Sequence, residues 1–468
     1  MSEEWEQLLE DLKKVPRGTE SAPQYLRHLM KMFVADFDTS MMKRLDVKFW
    51  NKLKIMMDEM QKASGNDRIV DLNVQSLAIG FITDLSLIVN YHYEIPNFGE
   101  KIPPELKWNP ILSTNKKQVK SKKNGRVFLA FILLRMGDLM RYKENYLKSR
   151  EFYEQSSRIN PADGAVWNQL GLISALSAKS LESAYFHARA LHSTIEFSTA
   201  SSSLAIMFKK FANRDTSKSM PINELFLSCL AKIHFLLKIE NFEEHAQKIS
   251  AKMATSKEML IPLMSVFEHL EGGTELEQQS IQYIKMIWTD SCKILLKTII
   301  DRLNKPAENQ EDLSNHLHLL SFFYRAPQLI DKDFEISTDV KKVAELLICS
   351  TDSSHFSNDI IKDYDGFQYF KCLGEHQYPL KRSHLAQMIG GNLTEISESE
   401  EDEEETSIDD SSNYDTSSKN TSPSKSPKKV QRNYSESSDE EILQRGRRRG
   451  RQTQMDESVD TDDDDEDF

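Results

Sequence analysis

The chain has 468 residues and a formal net charge of −13, a length that allows two or three domains. The acidity belongs to the carboxyl-terminal segment, because residues 395–468 hold 24 acidic and 10 basic side chains while the rest is close to neutral. Four widely spaced cysteines exclude a disulfide framework and a cysteine zinc site, so we expect a soluble protein of a reducing, intracellular compartment.

The first hundred residues predict four helices. The first residues of the chain lack the basic and apolar regions of a signal peptide. Apolar side chains recur at three- and four-residue spacing in the segments 3–14, 23–36, 38–63 and 70–93. In the third helix the methionines, Met41 and Met42 included, should point inward. Its outer face should be basic, with Lys43, Arg44, Lys48, Lys52 and Lys54.

A connecting loop is predicted over residues 101–124, where prolines give way to lysines. The lysines at 116–123 have no aromatic residues among them on which bases would stack. We therefore expect a solvated linker, and contact with nucleic acid is the alternative.

Residues 126–194 carry the period of a tetratricopeptide repeat. Gly137 and Gly171 lie 34 residues apart, and Pro161 follows Gly137 by 24. The period predicts two helix hairpins, which pair 126–145 with 148–159 and 164–178 with 181–194. The longest strongly apolar run, 127–134, is far shorter than the ~20 residues that span a bilayer, so we expect no membrane contact.

Helical spacing continues after the repeats but without their period. One helix is expected over 197–211 and a break over 214–221, followed by helices over 222–238, 242–254, 258–270, 276–304, 312–323 and 339–347. We predict an all-α protein with a first domain at 1–212 and an α-solenoid of helical hairpins at 213–392. Residues 393–468 have almost no bulky apolar side chains, which predicts a disordered acidic tail.

Catalytic and metal-binding motifs are not found in the sequence. It has no phosphate-cradling loop, dinucleotide fingerprint, nucleophile elbow or metalloprotease helix. His316 and His318 stand two residues apart, which splays them across a helix rather than aiming both at one metal ion. We expect a binding protein that is not an enzyme and has no metal or cofactor.

Several short motifs resemble a known family. They are Gly-Asp-Leu-Met-Arg-Tyr at 137–142, Phe-Tyr at 152–153, Asn-Pro-Ala-Asp-Gly at 160–164, Trp-Asn-Gln-Leu-Gly at 167–171 and Phe-Trp-Asn-Lys at 49–52. In order and type they are similar to the SMG factors of nonsense-mediated mRNA decay and the related Ever Shorter Telomeres proteins. The resemblance implies a 14-3-3-like tetratricopeptide domain followed by helical hairpins. Its concave surface would bind phosphorylated Ser/Thr-Gln peptides of the up-frameshift RNA helicase.

The resemblance places the family's phosphate-binding arginine at Arg141, with Tyr142 as a second phosphate contact. The chemistry agrees, because a phosphopeptide carries close to two negative charges and convergent cations can form charge-assisted hydrogen bonds to it. The alternative is that Arg141 pairs with an acid near it on its own helix, Asp138 or Glu144.

Two further positions depart from the family pattern. The family's lysine position is Ile55 in this chain, and a one-residue offset turns a side chain by about 100° around a helix. Lys54 stands one residue before Ile55, and Lys52 stands three before it. Lys54 would replace the family's lysine only if the helix shifts or the side chain reaches around. The asparagine of 14-3-3 proteins corresponds to Ala175, and Asn168 is the predicted substitute.

The chain is most similar to the SMG-seven type, because it ends in an acidic tail where other types have a strand-rich nuclease domain. This implies an adaptor that pairs with an SMG-five-type paralogue and links the helicase to a phosphatase or to mRNA-decay factors. Two alternatives stay open: a telomerase-associated factor that binds nucleic acid directly, and a generic helical-repeat scaffold.

The tail carries possible modification and targeting signals. Potential phosphorylation sites are Ser397, Ser399, Ser422, Ser426 and Thr453, although an ordinary solubilising role is favoured for each. The arginine-rich stretch at 445–451 is typical of a nuclear address or a weak RNA contact. We therefore expect a cytoplasmic protein that shuttles to the nucleus.

Overall fold

The computed structural model describes residues 2–303 apart from several gaps, and four later residues. The gaps are 17, 19, 64, 66–67, 97, 99–115, 217–218 and 271, and the later residues are 316, 319–320 and 323. All of them belong to one compact unit. Most of the predicted linker, most of the helix at 312–323, the helix at 339–347 and the tail lie outside the described residues.

The described part of the chain consists of helices and two short strands, joined by turns. The helices are α1 (Glu3–Lys14), α2 (Ala22–Ala35), α3 (Phe37–Met42), α4 (Leu45–Ala63), α5 (Arg68–His92), α6 (Lys122–Tyr142), α7 (Tyr146–Ile159), α8 (Gly164–Leu176), α9 (Ser180–Leu191), α10 (Thr199–Ala212), α11 (Ile222–His234), α12 (Phe242–Met253), α13 (Lys257–Phe267) and α14 (Glu275–Leu303). The all-α prediction is confirmed. Strand β1 (Tyr93–Glu94) pairs in parallel with β2 (Lys117–Gln118), and this pair was not predicted.

The prediction of one helix over 38–63 is wrong in one respect, because the chain forms two helices there, α3 and α4, with a break between them. Arg44 adopts a left-handed conformation with φ 56°. Its Nε lies 3.2 Å from the carboxylate of Asp46, which holds the side chain across the break. The break changes which side chains face the core: Met42, predicted to point inward, is 68% exposed.

Both predicted repeat hairpins are present, as α6 with α7 and α8 with α9. Side-chain caps fix where the first pair begins: Ser121 Oγ accepts from the backbone N–H of Asn124, and Asn145 Oδ1 accepts from that of Lys148, each at 3.2 Å. Helix α6 buries almost its whole circumference against α3, α4, α5, α7 and α8. This central position explains why the apolar run at 127–134 has no polar interruption.

Two groups of buried apolar side chains form the interior. The first extends from Trp5 to Phe152 and is built by α1 to α7. The second extends from Ala184 to Phe323 and is built by α9 to α14 with later residues. The predicted domain boundary near 212 stays a prediction.

Helix α5 is long and apolar enough to span a membrane. The sequence analysis did not predict this, because it considered only the longest uninterrupted apolar run. The segment Ile69–His92 has a mean hydropathy of 1.6 over its most apolar window, and 44% of that window is buried within the protein. Val74, Leu85 and Val89 of this helix lie in the first core. The buried side of α5 is therefore that of a core helix, and its other side remains exposed.

Candidate phosphate-binding site

The close approach of α6 to α7 brings a tyrosine hydroxyl next to the Gly-Asp-Leu-Met-Arg-Tyr motif. A Cβ atom at Gly137 would lie 2.4 Å from the ring of Tyr153, so only glycine allows this contact. Ser149 Oγ donates to the Gly137 carbonyl oxygen at 2.8 Å and ties the two helices together at the same level. The Tyr153 ring is fully buried, and burial raises the pKa of its hydroxyl well above the ordinary value. It therefore acts as a neutral donor and acceptor.

Asp138 is the centre of a buried polar cluster, which we call the Asp138 cluster: Arg135, Asp138, Arg141 and Tyr153. Arg135 Nη1 donates to Asp138 Oδ2 at 2.8 Å, and the Tyr153 hydroxyl donates to Oδ1 at 2.8 Å. The Tyr153 oxygen in turn accepts from Arg141 Nε at 3.3 Å. Two guanidinium groups thus share one carboxylate within the cluster. All four side chains are at least nine-tenths buried.

Arg141 makes the contact that the alternative interpretation predicts, but only at a distance. Its Nη2 lies 3.7 Å from Asp138 Oδ1, beyond hydrogen-bond length, and its side chain is 2% exposed. The guanidinium also lies over the ring of Tyr142, 4.8 Å from the ring centre. The Tyr142 carbonyl oxygen accepts from Gln75 Nε2 of α5 at 3.2 Å, which fixes the end of α6. The phosphate-binding role of Arg141 and Tyr142 stays a prediction.

Lys54 faces α6, whereas Ile55 does not. Trp50 of α4 lies under the Arg135 guanidinium, 4.8 Å from its ring centre, so the face of α4 that carries Trp50 contacts α6. Lys54 follows Trp50 by one turn and lies on that face, half-buried, whereas Ile55 is turned away and is 49% exposed. The offset from the family pattern therefore favours Lys54 at this position.

The direction of α4 decides which turn of α6 lies beside Lys54. The start of α5 meets the end of α6, because Gln75 binds the Tyr142 carbonyl, so these helices are antiparallel. Asp38 near the start of α3 accepts from Asn124 near the start of α6, whereas Trp50 on α4 lies by Arg135 further along α6, so α4 runs roughly parallel to α6. Four residues of helix advance about 6 Å. Lys54 therefore lies at the level of the last turns of α6, where Arg141 and Tyr142 stand.

The other two predicted site residues do not join this group. Lys52 points to α2, where its Nζ lies 5.8 Å from the Tyr25 ring centre and donates to the Gly18 carbonyl at 3.5 Å. Asn168 is fully buried between α8 and α9, and its Oδ1 lies 2.8 Å from His187 Nδ1. Burial lowers the pKa of His187 to about 3, so this pair is neutral.

Sequence reasoning missed three polar side chains around Arg141: Tyr153, which accepts from it, Arg135, which pairs with Asp138, and Gln75, which binds the Tyr142 carbonyl oxygen. Arg135 had a visible signal, because it precedes Asp138 by three residues and so lies next to it on α6. Tyr153 belongs to the Phe-Tyr motif at 152–153, but nothing in the local sequence marked its hydroxyl as a partner of Arg141. Among the described residues, no group of three or more His, Cys, Asp or Glu is placed to hold a metal ion. His316 is described and buried, whereas His318 lies outside the described residues.

Comparison with known proteins gives a family for this architecture. Residues 149–357 match the family described as Est1 DNA/RNA binding domain. The nonsense-mediated mRNA decay factor SMG7 of Danio rerio is 23% identical over 263 residues, which are 51% of this chain and 22% of that protein. The telomerase-binding protein EST1A of Danio rerio is 32% identical over 80 residues, 16% of this chain and 5% of that protein. The chain thus spans about a fifth or less of these relatives.

Two solved structures share the fold. A chain of the C. elegans SMG5-SMG7 complex superposes with a TM-score of 0.77 and 59% identity, covering 84% of this chain and 99% of its own. A chain from the structure of Est1 and Cdc13 has a TM-score of 0.51 and 13% identity, covering 83% of this chain and 94% of its own. The second likeness concerns the fold alone.

Proposed function

This chain belongs to the SMG/Est1 family and is of its SMG7 type, and from that premise we propose that it is a phosphopeptide-binding adaptor of nonsense-mediated mRNA decay. Its ligand would be a phosphorylated Ser/Thr-Gln segment of the up-frameshift RNA helicase. The observation that carries the proposal is the Asp138 cluster, in which two arginines share a single carboxylate.

The cluster supports anion binding through its charge. Arg135 and Arg141 contribute two positive charges and Asp138 one negative charge, so these three side chains keep a net positive charge in a site with little water. Cations held in such surroundings interact more strongly with an anion than they would in bulk water. Lys54, at the same level on α4, would add a second cation for a phosphate dianion.

Tyr142 would control access to the arginine. Only 2% of the Arg141 side chain is exposed. A phosphate can therefore reach its guanidinium only after a neighbouring side chain has moved aside. Tyr142 is half-buried and covers the guanidinium, which makes it the first side chain that has to move. Its hydroxyl would then be placed to donate to a phosphate oxygen.

A titration with matched phosphorylated and unphosphorylated Ser-Gln peptides tests the proposal. We expect the full chain to prefer the phosphopeptide, and Arg141→Gln and Lys54→Glu each to weaken that binding about tenfold or more, since each removes a charge-assisted contact. Lys52→Glu is the matched control, because it makes the same charge change on α4 but on the side facing Tyr25. Equal losses for Lys52→Glu and Lys54→Glu would contradict a localised phosphate site.

The exposed side of α5 supports pairing with an SMG5-type paralogue, which we propose as the second partner. Its apolar side chains lie within one arc of the helix, on both sides of Gly80, where an added Cβ would meet nothing within 4 Å. The most exposed are Ile69, Leu72, Leu77 and Tyr91, at 70, 46, 41 and 43%. An exposed apolar patch of this kind is typical of a protein interface.

Co-purification with the SMG5-type paralogue tests this surface. Leu72→Glu and Leu77→Glu place charges in the patch and should abolish the heterodimer while leaving phosphopeptide binding intact. Leu147→Glu on α7 is the control, since Leu147 is 81% exposed but lies outside the patch. Loss of the heterodimer with the control variant as well would argue against α5 as the interface.

Direct nucleic-acid binding is the second candidate function, favoured by the description of the matching family. The exposed lysines near the start of α6 are the contact it would use: Lys117, Lys120, Lys122 and Lys123. A complex with RNA or telomeric DNA that weakens steeply with salt would support it. Links to a phosphatase or decay factors, and a cytoplasmic location with nuclear shuttling, stay predictions.

A further inference from the structure

Asp138 stands midway between two arginines on the same helix. Arg135 precedes it by three residues and Arg141 follows it by three, so both are placed next to its carboxylate. The distances are unequal: Arg135 Nη1 lies 2.8 Å from Oδ2, whereas Arg141 Nη2 lies 3.7 Å from Oδ1. The carboxylate therefore forms a close ion pair with Arg135 and a longer one with Arg141.

Aromatic side chains from two helices hold Arg135 in this pairing. Its guanidinium lies 4.8 Å from the ring centre of Trp50 on α4 and 5.5 Å from that of Phe131 on α6. Such stacking suits a planar guanidinium and leaves its edges to donate in the ring plane. These two rings thus hold Arg135 at the position from which it donates to Asp138.

The second carboxylate oxygen is also occupied. The Tyr153 hydroxyl donates to Asp138 Oδ1 at 2.8 Å, the oxygen nearest to Arg141. Because the pKa of Tyr153 is raised well above its ordinary value, the hydroxyl keeps its proton and this bond persists at neutral pH. Both oxygens of Asp138 therefore have a donor before Arg141 is considered.

We propose that Arg135 is a positioning residue for the phosphate site: by holding Asp138, it keeps that carboxylate 3.7 Å from Arg141 and so weakens an ion pair that a phosphate has to displace. This inference rests on the proposed phosphopeptide binding. Without Arg135, Asp138 would rotate toward the remaining guanidinium and shorten the 3.7 Å separation to hydrogen-bond length. A phosphate would then have to displace a carboxylate that Arg141 holds more tightly.

A double-mutant cycle on the full chain tests the inference. Arg135→Met keeps an unbranched apolar side chain against Trp50 but removes the charge, and we expect it to weaken phosphopeptide binding about tenfold. Adding Asp138→Asn to it removes the competing carboxylate and should restore affinity to near the wild-type value. Asp138→Asn alone removes the carboxylate that a phosphate has to displace and should raise affinity, whereas a purely structural role for the pair predicts a loss in all three variants.

Binding and folding are measured separately for each variant. The dissociation constants are obtained with a matched pair of phosphorylated and unphosphorylated Ser-Gln peptides, and thermal unfolding shows which variants are folded. Unchanged affinity in Arg135→Met, or no recovery in the double variant, overturns the inference. If Arg135→Met does not fold, Asp138→Asn decides, because unchanged or lower affinity in that variant also overturns the inference. Failure of the wild-type chain to prefer the phosphopeptide refutes instead the proposed function on which the inference rests.

Discussion

The two repeats, α6–α7 and α8–α9, share one packing device and differ in what they bury around it. A glycine in the first helix of each meets a ring in the second: Gly137 meets Tyr153, and Gly171 meets His187. The members of each pair are offset by the 34-residue period. An added Cβ would lie 2.4 Å from the first ring and 2.6 Å from the second. The period therefore fixes how closely the helices pack in both repeats.

The polar content of the two repeats is different. The position of Asp138 is Leu172 in the second repeat, and that of Arg141 is Ala175. The second repeat accordingly buries a neutral pair, Asn168 with His187, where the first buries an ion cluster. The second repeat does bury a cation, Arg189, which lies over the Trp167 ring. At the positions of Asp138 and Arg141, however, its packing needs no charge, so the cluster of the first repeat is best explained by function rather than by packing.

Among the substitutions that test this comparison, removal of the Asp138 carboxylate should have the largest effect on stability. Asp138→Leu gives the first repeat the residue of the second and leaves two buried guanidinium groups without their shared anion. Breaking a buried ion pair from one side costs about 3–5 kcal/mol. We expect a loss of that size in the free energy of unfolding, measured by chemical denaturation.

A triple variant is the matched control for that loss. Arg135→Gln, Asp138→Leu and Arg141→Ala together copy the second repeat into the first and remove the stranded cations. The triple variant should be more stable than Asp138→Leu alone, although it should no longer bind phosphopeptide. If it were less stable, the cost of Asp138→Leu would lie in lost packing, and the cluster would be structural.

Much of the fold was predictable from sequence because the signals were local. The spacing of Gly137, Gly171 and Pro161 predicted both repeat hairpins, and apolar periodicity predicted nearly every other described helix. The break at Arg44 was not predictable, because neither glycine nor proline marks it and its conformation is left-handed. The pairing of β1 with β2 was also missed, since two-residue strands have no alternation to detect.

The site was predictable in part. The motif identified Arg141, and helix spacing identified Asp138 as a neighbour. Which arginine holds the carboxylate could not be predicted, because the choice depends on Trp50 from α4 and on Tyr153 from α7. These contacts join residues that are distant in the chain, and no local pattern encodes them.

Glycine substitution tests the shared packing device and is expected to have an intermediate effect. Gly137→Ala and Gly171→Ala each force a ring to move, and overpacking of this kind costs about 1–3 kcal/mol. The loss should be larger at Gly137, because Asp138 and Arg141 both hold the Tyr153 hydroxyl, whereas the His187 ring is held by its hydrogen bond to Asn168. Thermal unfolding of the two variants measures the difference, and equal shifts would mean that the cluster does not stiffen the first repeat.

Acid sensitivity is the smallest expected difference and separates the repeats by charge. Burial, with a lesser contribution from Lys210, lowers the pKa of His187 to about 3, whereas an unfolded histidine has a pKa of about 6.5. The unfolded chain therefore binds an extra proton between these values, so the contribution of His187 to stability is complete above pH ~6.5 and falls as the pH drops. Lowering the pH from ~7.5 to ~5.5 should therefore reduce the free energy of unfolding by about 1.4 kcal/mol through His187.

A neutral replacement isolates that contribution from those of other histidines, such as the half-buried His234, whose pKa is also lowered by burial. Asn168→Leu with His187→Phe removes both the proton and the carbonyl that it would leave unpaired. Denaturation of this variant at the two pH values should show an acid loss smaller than that of the wild type by the same amount. An unchanged acid loss would mean that His187 is protonated in the folded chain. The Asn168–His187 pair would then carry a buried charge, and the contrast between this neutral pair and the ionic Asp138 cluster would fail.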